Sequence, residues 1–271
     1  MISVLIPVYN QEKRIEDCLK SVVWADEVII VDSFSTDNTL DLCRKYTAKI
    51  IQHKYVNSAT QKNWALANLD FVGEWILIID SDEILTPELK DEILRRVGQE
   101  KYTGYYFPRK NFFLGKWIRH GGWYPDWNIK LFKKGAGKFE DKCVHAEALV
   151  AGPVGRLENP ITHYPRESIS DYLKHLDQFT SWRAQDIYQS TSSEMEVNLV
   201  SLPWFIRPPL KLTWRLLPFK PFWRFVWFYF FKLGFLDGYH GFLLAVLEGW
   251  SIYLSYAKAW ELKHYVNKQD C

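Results

Sequence analysis

An α/β fold, with a mostly parallel sheet flanked by helices, is what the first hundred residues predict. Three observations carry this. Short apolar runs alternate with helical stretches, the runs are apolar at successive rather than alternate positions, and two of them end in a carboxylate. A strand apolar on both sides belongs in a sheet covered by helices on both faces. In such sheets ligands bind at the carboxyl ends of the strands.

Residues 3–8 read as a strand that Pro7 stops. Residues 12–23 put Ile15, Leu19 and Val22 on one helical face. Residues 27–32 (EVIIVD) are a continuous apolar run ending in Asp32. A helix over 36–46 places Leu40, Cys43 and Tyr46 on one side, 49–52 is a short strand, and 58–69 is helical. Residues 74–80 (EWILIID) form a second buried strand ending in a carboxylate, Asp80. Thr86-Pro87-Glu88 then supplies an N-cap, a proline at the first helical position and a first-turn acid, opening a helix to Val97.

From Tyr102 to His163 the chain is rich in Gly, Trp and Tyr, and predicts short strands joined by long loops that suit an acceptor. An amphipathic helix over 168–188 follows. Between Glu196 and Asp237 there is no acid, and Arg207, Lys211, Arg215, Lys220, Arg224 and Lys232 are interleaved with thirteen aromatic residues. The regions 1–100, 101–195 and 196–271 therefore differ in character.

Composition narrows the function. With 48% hydrophobic and 24% charged residues over 271 positions, the chain is globular rather than disordered. A net charge of +2 argues against a polybasic nucleic-acid binder. Cys18, Cys43, Cys143 and Cys271 are scattered without zinc spacing and read as free thiols. The N-terminus has no basic segment or long apolar core, so no signal peptide is expected. The run 222–231 (FWRFVWFYFF) is bounded by lysines, and no 18-residue run is free of charge, which disfavours a membrane span. Rings interleaved with cations predict a segment lying on an anionic membrane surface, and hence a cytoplasmic protein peripheral to the inner face of the membrane; the alternative is a helical hairpin that packs its aromatics into the core. Five prolines between Pro203 and Pro221 argue against one continuous helix there. A basic aromatic surface also suits single-stranded nucleic acid, but nothing else in the chain supports that partner.

The chemistry concentrates at the strand ends. Asp80-Ser81-Asp82 is a DxD tripeptide on a turn. Transfer that expels a diphosphate needs a divalent cation to neutralise it, and Mg²⁺ or Mn²⁺ takes carboxylate and phosphate oxygens. The same tripeptide also suits a solvated turn before a helix, and Glu83 reads as either a supporting acid or a solvated one. Asp32, in VDSFSTDNT (31–39), can accept from a uracil N–H, while Thr36 or Asp37 can equally serve as an ordinary N-cap. IPVYN (6–10) followed by Glu12 leaves backbone beyond Pro7 free to meet a base.

IPVYN (6–10), VDSFSTDNT (31–39), QKN (61–63) and IIDSDE (78–83) together resemble the family 2 glycosyltransferases in content, order and spacing. The resemblance implies a GT-A fold and an inverting reaction. It also implies a base pocket of Pro7, Tyr9, Glu12 and Asp32, with Lys62 at base or phosphate, Asp80 at the ribose and Asp82 on the metal. HGGWYPDWNIKLF (120–132), VHAEALVAGPVGRL (144–157), ITHY (161–164) and LGFLDGYHG (233–241) resemble the lipopolysaccharide-core β-1,4-glucosyltransferase branch. On that likeness, 1–100 binds the nucleotide-sugar, 101–195 binds the acceptor and 196–271 is a helical membrane-associating extension. The donor it implies is UDP-glucose, and the acceptor a lipopolysaccharide-core or other surface glycan or glycolipid.

Two positions depart from the branch. Ala146 stands where a glutamate usually follows the histidine, and Lys130 stands where an arginine is usual. An inverting transfer needs one base for the acceptor hydroxyl, from the side opposite the leaving group. The candidates are Asp141, favoured for its place in the acidic pair Glu140-Asp141, then Glu147 and Asp126. His163 and His145 read as metal or pyrophosphate ligands or as satisfied structural residues. Transfer to a polyprenyl phosphate, which needs no base, is a second reading. A sugar-nucleotide-binding protein without catalysis is a third. A nucleotidyltransferase would carry a glycine-rich loop after the first strand, and VYNQEKR has no glycine.

Overall fold

The sheet grows outward from β1 (Ile2–Val8), whose successive residues are nearly all buried. It pairs in parallel with β2 (Glu27–Asp32) on one side and with β4 (Trp75–Ile78) on the other. β3 (Ile50–Gln52) extends the β2 edge, also in parallel. Ile6, Leu5, Ile30 and Leu77 have no exposed surface, as a sheet covered on both faces requires. Pro7 does not end its strand: it pairs opposite Val31, and Val8 continues opposite Asp32. Pairing with β4 has already stopped at Leu5 and Ile78, so the missing proline N–H removes no ladder bond on that side.

The helices α1 (Ile15–Lys20), α2 (Thr39–Cys43), α3 (Ser58–Asn68) and α4 (Pro87–Val97) alternate with these strands. α4 begins where its sequence dictates, with the Thr86 hydroxyl accepting from the Leu89 N–H at 3.2 Å. α1 and α2 start about three residues later than their apolar periodicity predicts. The residues before them are committed to bonds between the two turns: Glu12 N donates to Asp37, and the Glu12 carboxylate accepts from Asn38 N. Side chains that satisfy nearby backbone groups in this way compete with the helix. Cys18 and Cys43 are buried free thiols, and burial pushes the Cys43 thiol up to about 11.

The second third extends the same sheet with longer strands than expected. β6 (Gly104–Phe113) and β8 (Asp126–Lys133) are joined through the short β7 (Lys116–Trp117). The strand order is β3-β2-β1-β4-β8-β6-β12-β5, where β5 is Glu83–Ile84 and β12 is Ile161–His163. β11 (Val154–Arg156) also pairs with β6, while β9 (Gly137–Phe139) and β10 (Ala148–Val150) form a separate hairpin. An α/β fold of the GT-A kind, with its parallel strands at the N-terminal end, is thus what the chain adopts. This computed structural model describes residues 1–99, 101–140, 146–165, 168–189 and 219–265.

The chain divides into two compact units, 1–117 with 123–165, and 118–122 with 166–271. The second unit is helical. α5 (Ile169–Gln189) packs on α7 (Gly238–His264), where Lys258 donates to the Asp177 carboxylate at 2.6 Å and to Ser181 Oγ at 2.8 Å. α6 (Lys220–Val226) continues into a π-turn, Trp227–Phe231, and Arg224 of α6 reaches Glu248 of α7 at 2.7 Å. The segment 118–122 is clasped by this unit: Asp237 accepts from the His120 N–H at 2.8 Å, and Gly121 (φ 68°) lies so close to the Phe228 ring that a Cβ would stand 2.2 Å from it. The predicted proline-rich stretch at 203–218 lies outside the described residues. No single described helix is long and apolar enough to cross a membrane. Lys220–Phe231 and Gly234–His264, bent by 73°, reach that length and composition only as a pair.

Candidate active site

The loops beyond β1 and β2 are laced together at the carboxyl ends of their strands. Asn10 N donates to Ser35 Oγ (2.9 Å), Thr36 N donates to Asn10 Oδ1 (2.8 Å), and Gln11 N donates to Thr39 Oγ1 (2.7 Å). Pro7, Tyr9, Glu12 and Asp32 are therefore brought into one region. Asp32 is fully buried and anchors the turn, accepting from Ser35 N, Ser35 Oγ and Gln52 Nε2. Tyr9 stands 56% exposed at the rim.

Each residue of the QKN tripeptide has its own task. Gln61 Oε1 meets His53 Nδ1 at 2.8 Å. Asn63 holds β9, exchanging bonds with the Phe139 backbone at 2.8 and 2.9 Å. Lys62 turns to Asp80, 2.8 Å away, and lies 5.3 Å from the Phe139 ring centroid.

Asp80 is the hub of a buried charge network. Lys62 takes one carboxylate oxygen and Lys130, at 2.9 Å, takes the other. Lys130 also bonds Glu83 at 2.6 Å, and Glu83 accepts from the Asp80 N–H at 2.9 Å. Glu83 is thus a fully buried supporting acid and not a solvated one. Its other oxygen lies 3.7 Å from Arg109, which forks onto Asp126 at 2.6 and 2.8 Å. Burial pushes the Asp80 carboxyl up, but Lys130 and Lys62 outweigh it and hold it well below the usual carboxylate range. Asp126 is likewise lowered, burial being outweighed by Arg109. Burial pulls the Lys130 ammonium down, yet Asp80 and Glu83 leave it above its ordinary value.

Asp82 sits at the turn and His163 is carried to it by the antiparallel pairing of β12 with β5, which sets His163 opposite Glu83. His163 Nε2 lies 3.5 Å from Asp82 Oδ2. The other ring nitrogen is fixed by Asn111. The Asn111 amide donates to Trp123 O and Asp126 Oδ2, both at 3.1 Å, so its Oδ1 is left to accept from His163 Nδ1 at 2.6 Å. With Nδ1 engaged by Asn111, Nε2 is the ring nitrogen that faces Asp82. Burial opposes the charge on Asp82, and His163 more than offsets it, so this carboxyl also stays low.

The charges count unevenly. Asp80, Asp82, Glu83 and Asp126 face Lys62, Lys130 and Arg109, which leaves one carboxylate in surplus beside the His163 ring. Among the described residues no three His, Cys, Asp or Glu side chains gather as a metal cage. A carboxylate and an imidazole, with the remaining positions left for phosphate oxygens and water, are nevertheless a donor set that fits Mn²⁺ or Mg²⁺. Asp82 and His163 are the residues that can hold it.

The base candidates fare differently. Asp126 already accepts from Arg109, Asn111 and Asn128. Glu147 is exposed, its backbone paired with Glu140 just before β10. Asp141 and His145 lie outside the described residues. Sequence reasoning missed Arg109 and Asn111. Their spacing of two within TGYYFPRKNFF puts both on one face of a strand, which was the available signal.

The sequence pattern of glycosyl transferase family 2 matches residues 3–149. An uncharacterised glycosyltransferase of Rickettsia typhi is 26% identical, over 96% of this chain and 87% of that one. The lipopolysaccharide core biosynthesis glycosyltransferase LpsC of Rhizobium meliloti is 23% identical, over 76% of this chain and 79% of its own. Among solved structures, Staphylococcus aureus TarS 1–349 in complex with UDP-GlcNAc superposes with a TM-score of 0.47 at 19% identity, covering 71% of this chain and 68% of that one. With more than half of its length matched by the family pattern, and its strand-end motifs in that order, the chain belongs to glycosyl transferase family 2.

Proposed function

We propose that this glycosyltransferase moves glucose from UDP-glucose, with inversion, to a hydroxyl of a lipopolysaccharide-core or related surface glycan. The observation that carries the reading is the strand-end cluster, in which Asp80 is clamped by two lysines while Asp82 lies 3.5 Å from the His163 imidazole. Lys62 and Lys130 fix Asp80 as a carboxylate, ready to accept from a ribose hydroxyl. Asp82 and His163 would hold a divalent cation, whose positive charge would offset that of the departing diphosphate. Asp126, saturated by Arg109, Asn111 and Asn128, suits orienting the acceptor side better than taking its proton, and leaves Asp141 and Glu147 as the bases to test.

The C-terminal unit supports a membrane-surface partner. Phe219, Phe222, Phe230, Phe231, Leu236 and Tyr239 are all more than half exposed, and the sequence from 197 to 236 contains no acid. Apolar rings at this density, with lysines between them, suit the interface of an anionic bilayer, where a glycolipid acceptor resides.

Donor hydrolysis by the purified full chain tests the reaction. UDP- and GDP-sugars are screened with Mn²⁺ or Mg²⁺, with EDTA and Asp82→Ala as controls. Slow metal-dependent release of UDP from UDP-glucose, abolished by both controls, is the expected result. Release of a different nucleotide would replace the donor, and turnover unaffected by EDTA and Asp82→Ala would remove the assignment of the metal site.

A further inference from the structure

Phe34 has a backbone conformation that is unfavourable for its own side chain. Its φ is 62°, in the left-handed region where a Cβ collides with the backbone and which a bulky side chain rarely enters. A glycine adopts it freely. Aromatic packing does not compensate, since the residue is 52% exposed and no other ring contacts it among the described residues. Strain held without a packing return is a mark of a binding position.

The surroundings say what the ring meets. Phe34 follows β2 by two residues and Tyr9 follows β1 by one, and these strands are paired through Val8 and Asp32. The two rings therefore rise from adjacent loops at the carboxyl ends of neighbouring parallel strands, and both are more than half exposed. Asn10, beside Tyr9, is also left-handed at φ 50°, and its side chain accepts from Thr36 N while its own N–H donates to Ser35 Oγ. The bonds on either side of Phe34, Ser33 N to Val8 O and Ser35 N to Asp32, pin the loop so that the ring is held outward. Two exposed rings at the end of a sheet whose next strand ends in Asp80 offer flat apolar faces, which suit stacking on a flat heterocycle and do not suit a phosphate.

Resting on the donor reading above, we propose that Phe34 stacks on the nucleobase of the donor, with Tyr9 bordering the same slot. The strained backbone then serves to present the ring, at the expense of stability. This sets two readouts moving in opposite directions. Aromatic stacking on a base is worth roughly tenfold to a hundredfold in affinity, while a glycine at this φ relieves the strain.

The test measures binding of UDP, GDP and inorganic diphosphate to the full chain by calorimetry with Mn²⁺ present, alongside thermal unfolding, for wild type, Phe34→Gly and Phe34→Tyr. Phe34→Gly is expected to raise Tm by about 2–4 °C. It should weaken the preferred nucleotide by about tenfold to a hundredfold and leave diphosphate binding unchanged, whereas Phe34→Tyr keeps nucleotide affinity. Wild-type binding that Phe34→Gly does not weaken would overturn the stacking role. Equal losses for nucleotide and diphosphate would also overturn it, assigning Phe34 to loop support, and a fall in Tm would remove the strain on which the proposal stands. A wild type that binds neither UDP nor GDP would instead overturn the donor reading itself.

Discussion

The strand-end cluster of the first unit and the helical surface of the second handle unfavourable groups in opposite ways. Lys62, Lys130, Asp80 and Glu83 are charged and largely withdrawn from water, each answered by a partner within 3 Å. Phe219, Phe230, Phe231 and Tyr239 are aromatic and more than half exposed to water, even though Phe231 stacks on Trp227 and Phe230 meets the edge of Tyr229. Buried charges that satisfy one another fix positions, which is what a site for a charged donor needs. Exposed rings fix nothing by themselves and gain only when another phase or surface covers them. The difference predicts that substitutions in the cluster act on folding and turnover, and that substitutions on the rings act on where the protein goes.

The largest effect should come from Lys130→Met. Removing one member of a buried ion network leaves Asp80 and Glu83 with a shortage of positive charge, and such losses cost about 3–5 kcal/mol. Urea unfolding measures this directly. A loss below about 1 kcal/mol would mean that the network behaves as a surface one and that the contrast between the two regions is weaker than drawn.

Asp82→Asn should separate function from folding inside the same cluster. Asp82 is the surplus carboxylate, so its removal strands none of Lys62, Lys130 and Arg109. Metal-dependent turnover should fall by about a hundredfold or more, an effect of the size seen when charge stabilisation at a reacting centre is removed, with Tm nearly unchanged. Asn111→Ala should act more mildly and through His163, raising the Mn²⁺ concentration for half-maximal activity by about 10–100-fold. If both variants lowered Tm as much as Lys130→Met, the Asp82–His163 pair would be scaffold rather than site.

Acid supplies another contrast. Burial pushes Asp80 and Asp126 up, but their cationic partners outweigh it, and both end below the ordinary carboxylate range. In the unfolded chain they titrate near ~3.9. Their contribution to stability is therefore complete above that value and is lost as pH falls through the lower folded values, because there the unfolded chain binds more protons. The urea midpoint of the wild type should fall between about pH 5 and pH 3. Lys130→Met should show a shallower fall, since Asp80 then keeps less of its depression. An equal slope would show that Lys62 alone holds Asp80 down.

Much of this was readable before any coordinates, and the reasons are local. The end of β4 and the start of α4 follow from WILIID and Thr86-Pro87, where apolar content and capping chemistry agree with the fold. Asp32, Asp80 and Asp82 were legible because a carboxylate ending a buried strand in a parallel sheet faces the ligand edge. The late starts of α1 and α2 were not, because they depend on bonds between two turns some 25 residues apart. His163 was legible as one possible ligand, but the strand pairing that brings it to Asp82 was not, because it requires β12 to return beside β5 after 80 residues. Arg109 and Asn111 were hidden for a third reason. Pro108 immediately precedes Arg109 in a stretch that reads as broken strands, yet it is accommodated opposite Trp127 and the strand continues to Phe113.

The smallest expected effect on the fold lies among the rings, and one pair of positions makes the contrast sharp. Phe228 and Phe231 are three residues apart in the same π-turn, but Phe228 is buried with Gly121 fitted against its ring, while Phe231 is 69% exposed. Phe228→Ala should therefore destabilise the chain by about 3–5 kcal/mol. Phe230→Ser combined with Phe231→Ser should leave unfolding within about 0.5 kcal/mol of wild type and instead lower binding to vesicles of mixed anionic and zwitterionic lipid. Two half-exposed rings withdrawn from water into an interface correspond to about a tenfold change in partitioning. Cosedimentation with vesicles at low and high salt reads both parts of the surface, since the lysines respond to screening and the rings do not. Binding that falls with salt but ignores the two phenylalanines would assign the surface to its cations. A double variant that unfolds like Phe228→Ala would return these rings to the core and end the contrast between the two regions.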